Sequence, residues 1–299
     1  MNSLLAGNAL FALAAALFWG GGDFSGGMGV KSAGGSVGAA LRVVLLSHIT
    51  SFIVLVAIAK VRGDAFPHGA LLAWGVAAGV AGGLSLTCFY IALSRGAMGA
   101  SAAVSGLLAA AIPAALTLWQ QGSPGTRPLV GFAVAGAAIW LIAAGPSPEN
   151  LPSDGLGRQT IVLATLAGVG FGIYFVALKM AGPAGVIWPM ATARMGSLSA
   201  CLLVVLGLRV GGGGSGVAKV TLGRRAVLWA LSTALLDTSG NLLFLAATRA
   251  GRLDVAAVLA SLYPASTILL AALALGEWPT RRQALGMATA VVAVALIAL

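Results

Sequence analysis

The chain has 299 residues, of which 59% are hydrophobic and 8% charged, against roughly 25% charge in soluble domains. With a mean hydropathy of +1.01 it reads as an all-α integral membrane protein, because a lipid core crossed by about 20 apolar residues at a time leaves room for about ten crossings and little else. The net charge of +10, from 17 Lys+Arg against 7 Asp+Glu, does not point to nucleic acid: the basic residues stand mostly at the ends of apolar runs, where they orient helices and meet lipid headgroups.

In chain order the apolar runs cover 4–28, 36–59, 69–93, 97–119, 128–145, 159–181, 186–209, 226–248, 254–275 and 281–299, which predicts ten transmembrane helices. A β-barrel is excluded, since Phe132 to Ala144 is apolar on all sides rather than at alternate positions. The first run lacks a basic leader and is too long for the apolar part of a signal peptide, so it is expected to stay as a helix. The runs are parted by Lys31 with Gly34 and Gly35, Lys60 to Pro67, Arg95 and Gly96, Gly122 to Pro128, Gly182 and Pro183, and Arg249 to Arg252. Gly145 to Gly157, with three prolines, and the glycine-serine run Gly211 to Gly216 read as linkers.

The first linker divides the chain nearly in half, into residues 1–145 and 158–299 joined by 146–157, which invites a search for an internal repeat. A shift of 154 residues aligns Arg95 with Arg249, Gly122 with Gly276, and Thr126-Arg127 with Thr280-Arg281. A shift of 152 aligns Gly20 with Gly172 and Arg42 with Arg194. Five helices per repeat make the second repeat enter the membrane from the opposite side, so two inverted five-helix repeats are expected, a recurring design of secondary transporters. With the N-terminus inside, the inner loops hold six basic residues and the outer loops nine. Those numbers are close to balance.

Charges inside a span cost roughly 2.5–3.5 kcal/mol each on insertion scales and are functional candidates by default. Asp23, Arg42, Arg194 and Asp237 qualify. Asp237, Asn241 and Phe244 share one helical face, as do Trp19 and Asp23 among the glycines Gly20, Gly21, Gly22, Gly26 and Gly27. Asp237 reads as a substrate or proton site, or as a polar clasp to Arg194 or Asn241. A central carboxylate out of water is suited to exchanging a proton for a substrate. Asp23 reads as a site residue or as the partner of Arg42, because both lie toward the same membrane face.

Aromatic candidates for a cavity wall are Trp19, Tyr90, Phe171, Tyr174, Trp188 and Tyr263. Pro264, with Ser261 and Tyr263, either kinks the ninth helix or breaks it so that backbone groups can meet a substrate. His48 reads as a packing histidine; a proton relay there needs a partner. Gly75, Gly79 and Gly83 form a close-packing stripe within the fold. Cys88 and Cys201 have no metal-ligand spacing around them and read as packing residues, and neither metal nor cofactor is expected. Gly20-Gly21-Gly22-Asp23 fits the Gly-x-Gly-Asp pattern of intramembrane aspartyl proteases, with Asp237 as a second carboxylate. However, no Tyr-Asp partner accompanies it. No Gly-x-Ser-x-Gly or nucleotide-binding Gly-x-x-x-x-Gly-Lys appears either.

Trp19-Gly20 through Asp23-Phe24, the paired Arg42 and Arg194, the stretch Asp237 to Arg249, Ser261-Leu262-Tyr263-Pro264, and Gly276-Glu277 with Gly286 resemble the EamA-type members of the drug/metabolite transporter superfamily. The second repeat carries the better match: Ser123 stands where the first repeat's acid belongs, and Ala110 where the second has Pro264. The resemblance implies both termini in the cytoplasm, residence in the inner (plasma) membrane, and transport of small metabolites or drugs, often as efflux. It also implies a central cavity lined by helices one, three, four, six, eight and nine. The expected function is a multi-pass secondary transporter working by alternating access with protons as a candidate coupling ion, the alternative being a non-transporting scaffold or receptor. The expected substrate-binding residues are Trp19, Asp23, Tyr90, Tyr174, Asp237, Asn241, Ser261 and Tyr263.

Overall fold

The computed structural model describes residues 2–94, 98–143, 158–210, 220–275 and 278–298. Among these, the regular elements are helices: α1 (Asn2–Ser32), α2 (Val37–Arg62), α3 (Ala70–Ser94), α4 (Met98–Gln121), α5 (Thr126–Ala143), α6 (Arg158–Ala181), a short 3-10 turn (Gly182–Ala184), α7 (Ile187–Val210), α8 (Arg224–Ala250), α9 (Leu253–Ala260), α10 (Tyr263–Leu275) and α11 (Arg281–Ala298). Arg95, Gly96, both expected linkers, Lys219 and the pair Gly276-Glu277 lie outside the described residues.

Helices follow from the solvent. In hydrocarbon every backbone N–H and C=O must be satisfied within its own segment, and a helix does so without a neighbour. Among the described residues, eight segments are long and apolar enough to cross a membrane, α9 and α10 together making one of them, and the apolar part of α5 (Thr126–Ile142) is shorter. Large side chains such as Leu10, Leu17, Ile53, Leu203, Leu235 and Val291 lie on the outer surface, where a soluble protein rarely gathers so much apolar area. The turns are local too. Ser36 caps α2 by accepting from the Ala39 N–H at 3.1 Å, and Gly63, at φ 70°, ends it in the left-handed conformation that glycine adopts without strain.

Small residues set how closely the helices pack, since lipid supplies no hydrophobic drive between them. A Cβ at Gly22 would lie 3.1 Å from the Asp237 nitrogen, so α1 and α8 meet almost backbone to backbone. The stripe Gly75, Gly79 and Gly83 on α3 receives Thr192, Ala193 and Ser197 of α7, a contact within the fold. The helix pairs fall into a regular scheme: α1 packs on α8 and α6 on α3; α2 packs on α8 and α7 on α3; α4 packs on α6, and α9 with α10 on α1. Two further pairs, α2 with α7 and α5 with α11, close the bundle.

Pro264 does more than bend its helix. Without an N–H it cannot donate to the Ala260 carbonyl, and α9 ends at Ala260 while α10 begins at Tyr263. The break is closed by tight turns, Leu262 N–H to Leu259 O at 3.2 Å and Ala265 N–H to Leu262 O at 3.1 Å. The Ser261 carbonyl lies against Gly106 of α4.

Candidate functional site

A cavity of about 50 Å³ opens among the helix midpoints, small beside the roughly 300–1,000 Å³ usual for sites that enclose a whole ligand. Its polar wall comes from Asp23 of α1, His48 of α2, Arg194 and Ser197 of α7, and Asp237 and Asn241 of α8. Aromatic rings cover much of the rest: Trp19 of α1, Phe171, Tyr174 and Phe175 of α6, and Tyr263 at the start of α10. The α3 glycines that let α7 approach, Gly79 and Gly83, also border it.

Arg194 organises the polar side. Its Nη2 donates to Asp237 Oδ2 at 2.5 Å and to Thr238 Oγ1 at 3.2 Å, and its Nη1 faces His48 Nε2 at 2.7 Å. The two charged side chains are 5% and 14% exposed, so the pair is nearly dry and each charge depends on the other. Guanidinium N–H groups only donate, which makes His48 Nε2 the acceptor and leaves Nδ1–H to donate to Ser197 Oγ at 2.6 Å. His48 is therefore the neutral Nδ1–H tautomer. Ser197 and Arg194 are partners of the kind that a proton relay there needs, and through them His48 joins α2 to α7.

Tyr174 and Asn241 form a second linkage. The Tyr174 hydroxyl donates to Asn241 Oδ1 at 2.7 Å, and Asn241 Nδ2 donates to the Asp237 carbonyl at 2.7 Å. Both ends of the Asn241 amide are used, which holds its orientation and ties α6 to α8. Trp19 stacks on Phe175 with centroids 5.2 Å apart and planes 5° apart, and meets Tyr263 edge-on at 6.5 Å. Tyr263 is fixed in turn by α4: its hydroxyl is 2.8 Å from Ser105 Oγ and donates to Ala102 O at 3.2 Å.

Of the sequence-selected residues, Trp19, Asp23, Tyr174, Asp237, Asn241 and Tyr263 border this one cavity. Tyr90 and Ser261 do not: both are fully buried, with hydroxyls that have no hydrogen-bond partner, Tyr90 packing on Gly26. Trp188 stands apart as well, donating to the Asp64 carbonyl at 2.8 Å. The ion pairs among the described residues are Arg62–Asp64, Arg194–Asp237 and Arg252–Asp254, so the considered Asp23–Arg42 pair does not form. Asp237 is held by Arg194, so its carboxylate is engaged by a guanidinium, whereas a protease dyad has two carboxyls sharing a proton. Helix α4, expected on the wall, contributes no lining residue among those described, whereas α2 and α7 contribute His48, Ala193, Arg194 and Ser197. Sequence reasoning had marked Arg194 as costly and His48 as deep; what it missed was that they touch.

One end of the bundle is tied by a band of polar contacts. Arg252 pairs with the buried Asp254 at 2.8 Å and donates to the Gly122 carbonyl at 2.8 Å. Asn8 donates to the Arg252 carbonyl at 3.1 Å. Lys179 donates to the Thr248 carbonyl and Arg249 to that of Gly182. These residues join the ends of α1, α4, α6 and α8.

Residues 158–299 match the model of the EamA-like transporter family. No curated protein matches the chain. Seventeen chains of known structure do; one, a crystal structure of a protein described no further, aligns over 97% of this chain and 95% of its own with a TM-score of 0.69 and 17% identity, a likeness of fold.

Proposed function

We propose that the chain, whose residues 158–299 match the model of the EamA-like transporter family, is a multi-pass secondary transporter of the drug/metabolite superfamily that moves a small organic solute across the cytoplasmic membrane by alternating access. The observation that carries this reading is the aromatic and charged cavity at the helix midpoints, bordered by residues from both halves of the chain. That is where transporters built from two similar halves hold their cargo.

The proposal includes ten crossings in two inverted repeats, residues 1–145 and 158–299. It is supported by the contact scheme, in which exchanging each of the first five helices with its counterpart, α6, α7, α8, α9 with α10, and α11, turns each major pairing either into itself, as for α2 with α7 and α5 with α11, or into another observed pairing. Both termini are assigned to the cytoplasm by the resemblance described above. The band around Arg252, Asn8 and Arg249 supports a conformation shut at the end that carries the N-terminus. Opening that end requires those bonds to break while others form opposite, which is the two-state element that alternating access needs. Proton exchange at Asp237, with Arg194 as its alternative partner, is the proposed coupling.

The test is exchange in proteoliposomes loaded with a metabolite extract, followed by mass spectrometry of the outer solution. Wild-type protein is expected to release a small subset of solutes, faster under an imposed proton gradient, and Asp237→Asn to lose the dependence on the gradient. Release no faster than from empty liposomes, across all detected solutes, overturns the transporter reading; unchanged gradient dependence in Asp237→Asn overturns the coupling.

A further inference from the structure

Asp23 and Asp237 border the same cavity but are held differently. Asp237 is neutralised by Arg194 at 2.5 Å. Asp23 is 8% exposed, no ion pair among the described residues reaches it, and it lines the cavity. Beside the Asp237–Arg194 pair and a His48 whose hydrogen bonds fit a neutral ring, the wall carries one further carboxyl, that of Asp23. A carboxyl withdrawn from water ionises only at a cost unless a cation meets it, and none of the ion pairs among the described residues includes Asp23.

The surroundings select what can serve. Trp19 lies one helical turn before Asp23 on the same face of α1. It stacks on Phe175 and meets Tyr263 edge-on, so aromatic rings stand beside the carboxylate. Aromatic faces attract cations, most strongly where water is excluded. An anionic group would find Arg194 already engaged: its terminal nitrogens contact Asp237, Thr238 and His48, and only its buried Nε is without a partner.

Resting on the transporter reading, we propose that the solute is a small organic cation, an amine or quaternary ammonium compound, with Asp23 as its counter-ion and Trp19 in the aromatic wall beside it. The Asp237–Arg194 pair then borders the site as the coupling pair rather than as the charge that meets the substrate.

The experiment uses the purified full-length protein in detergent and three probes of one shape class: benzyltrimethylammonium, benzyl alcohol and benzenesulfonate. Affinity is measured by calorimetry and by thermal stabilisation, since a ligand of the folded state raises its Tm. Only the cation is expected to bind. Asp23→Asn, which keeps the shape and removes the charge, should weaken it at least tenfold while holding or raising the unliganded Tm, which shows that the variant folds. Asp64→Asn, outside the cavity, should bind as wild type does. Equal cation affinity in wild type and Asp23→Asn overturns the proposal, as does preference for the neutral or anionic probe, or no binding of the cation. If the cation fails to bind but the proteoliposomes exchange some other solute, the transporter reading stands and this assignment falls. If neither binding nor exchange is seen, both fall.

Discussion

Replacing Arg194 by methionine tests the internal logic of the cavity most directly. The substitution keeps much of the side chain's volume and removes its charge. It leaves Asp237, with 14% of its side chain exposed, without a counter-ion; it also removes the donors to Thr238 Oγ1 and His48 Nε2. Breaking one partner of a buried pair costs about 3–5 kcal/mol, because the other charge stays buried and uncompensated. Removing the charge from Asp237 as well takes away that penalty, so Asp237→Asn added to Arg194→Met should recover about 2–4 kcal/mol relative to the sum of the single changes, a coupling of the kind double-mutant cycles resolve. The assay is reversible unfolding of the four proteins by titration of a denaturing detergent into mild micelles, followed by circular dichroism. Single-mutant costs that add to within about 0.5 kcal/mol, the additivity of independent sites, would falsify the reasoning and mean that the two charges are separately solvated.

Gly79→Val should prevent accumulation of folded protein, because a Cβ there would lie 2.8 Å from the Ala193 Cα and overpacking against backbone costs about 1–3 kcal/mol or more. Gly207→Ala, with nothing within 4 Å of the added carbon, should be neutral or stabilising by up to about 1 kcal/mol; thermal unfolding compares them. Tyr263→Phe removes the hydroxyl held by Ser105 and Ala102 and should cost about 1–2 kcal/mol while loosening the ring beside Trp19, read as a lower Tm and weaker ligand binding. Arg252→Ala cuts the tie to Gly122 and strands the buried Asp254. It should therefore speed labelling by a water-soluble maleimide of a cysteine placed at the buried Ala12, with Cys88 and Cys201 replaced by alanine; an unchanged labelling rate would show that this band does not hold that end closed.

The resemblance read from Ser261-Leu262-Tyr263-Pro264 and the Asp237 stretch agrees with the family match over 158–299. The helix positions were legible for a physical reason: in lipid the backbone bonds must close locally, so an apolar run between glycines, prolines and charges carries its own structure. Alternation within a helix was legible as well, which is why Trp19 with Asp23, and Asp237 with Asn241, reach the cavity in pairs.

Other features depended on contacts between helices far apart in the chain. Tyr90 was chosen as an aromatic within a span, yet only the packing of α1 on α3 shows that its ring fills the space over Gly26 rather than facing the cavity. Ser261 was chosen beside a proline, and the break turned its carbonyl toward Gly106 of α4. Asp23 and Arg42 lie toward the same membrane face and were considered as a pair, but a common depth does not set the direction in which each helix presents its side chain. The same limit hid the union of His48 with Arg194, residues 146 apart in the chain. By itself the sequence determined which segments are helices, where they stop and which charges are too costly to be incidental, because each of those is a property of a single segment and its solvent. Which carboxylate is paired, which is left facing the cavity and which aromatic rings surround it were decided by the rotation and approach of separate helices, and that rests on contacts no single segment contains.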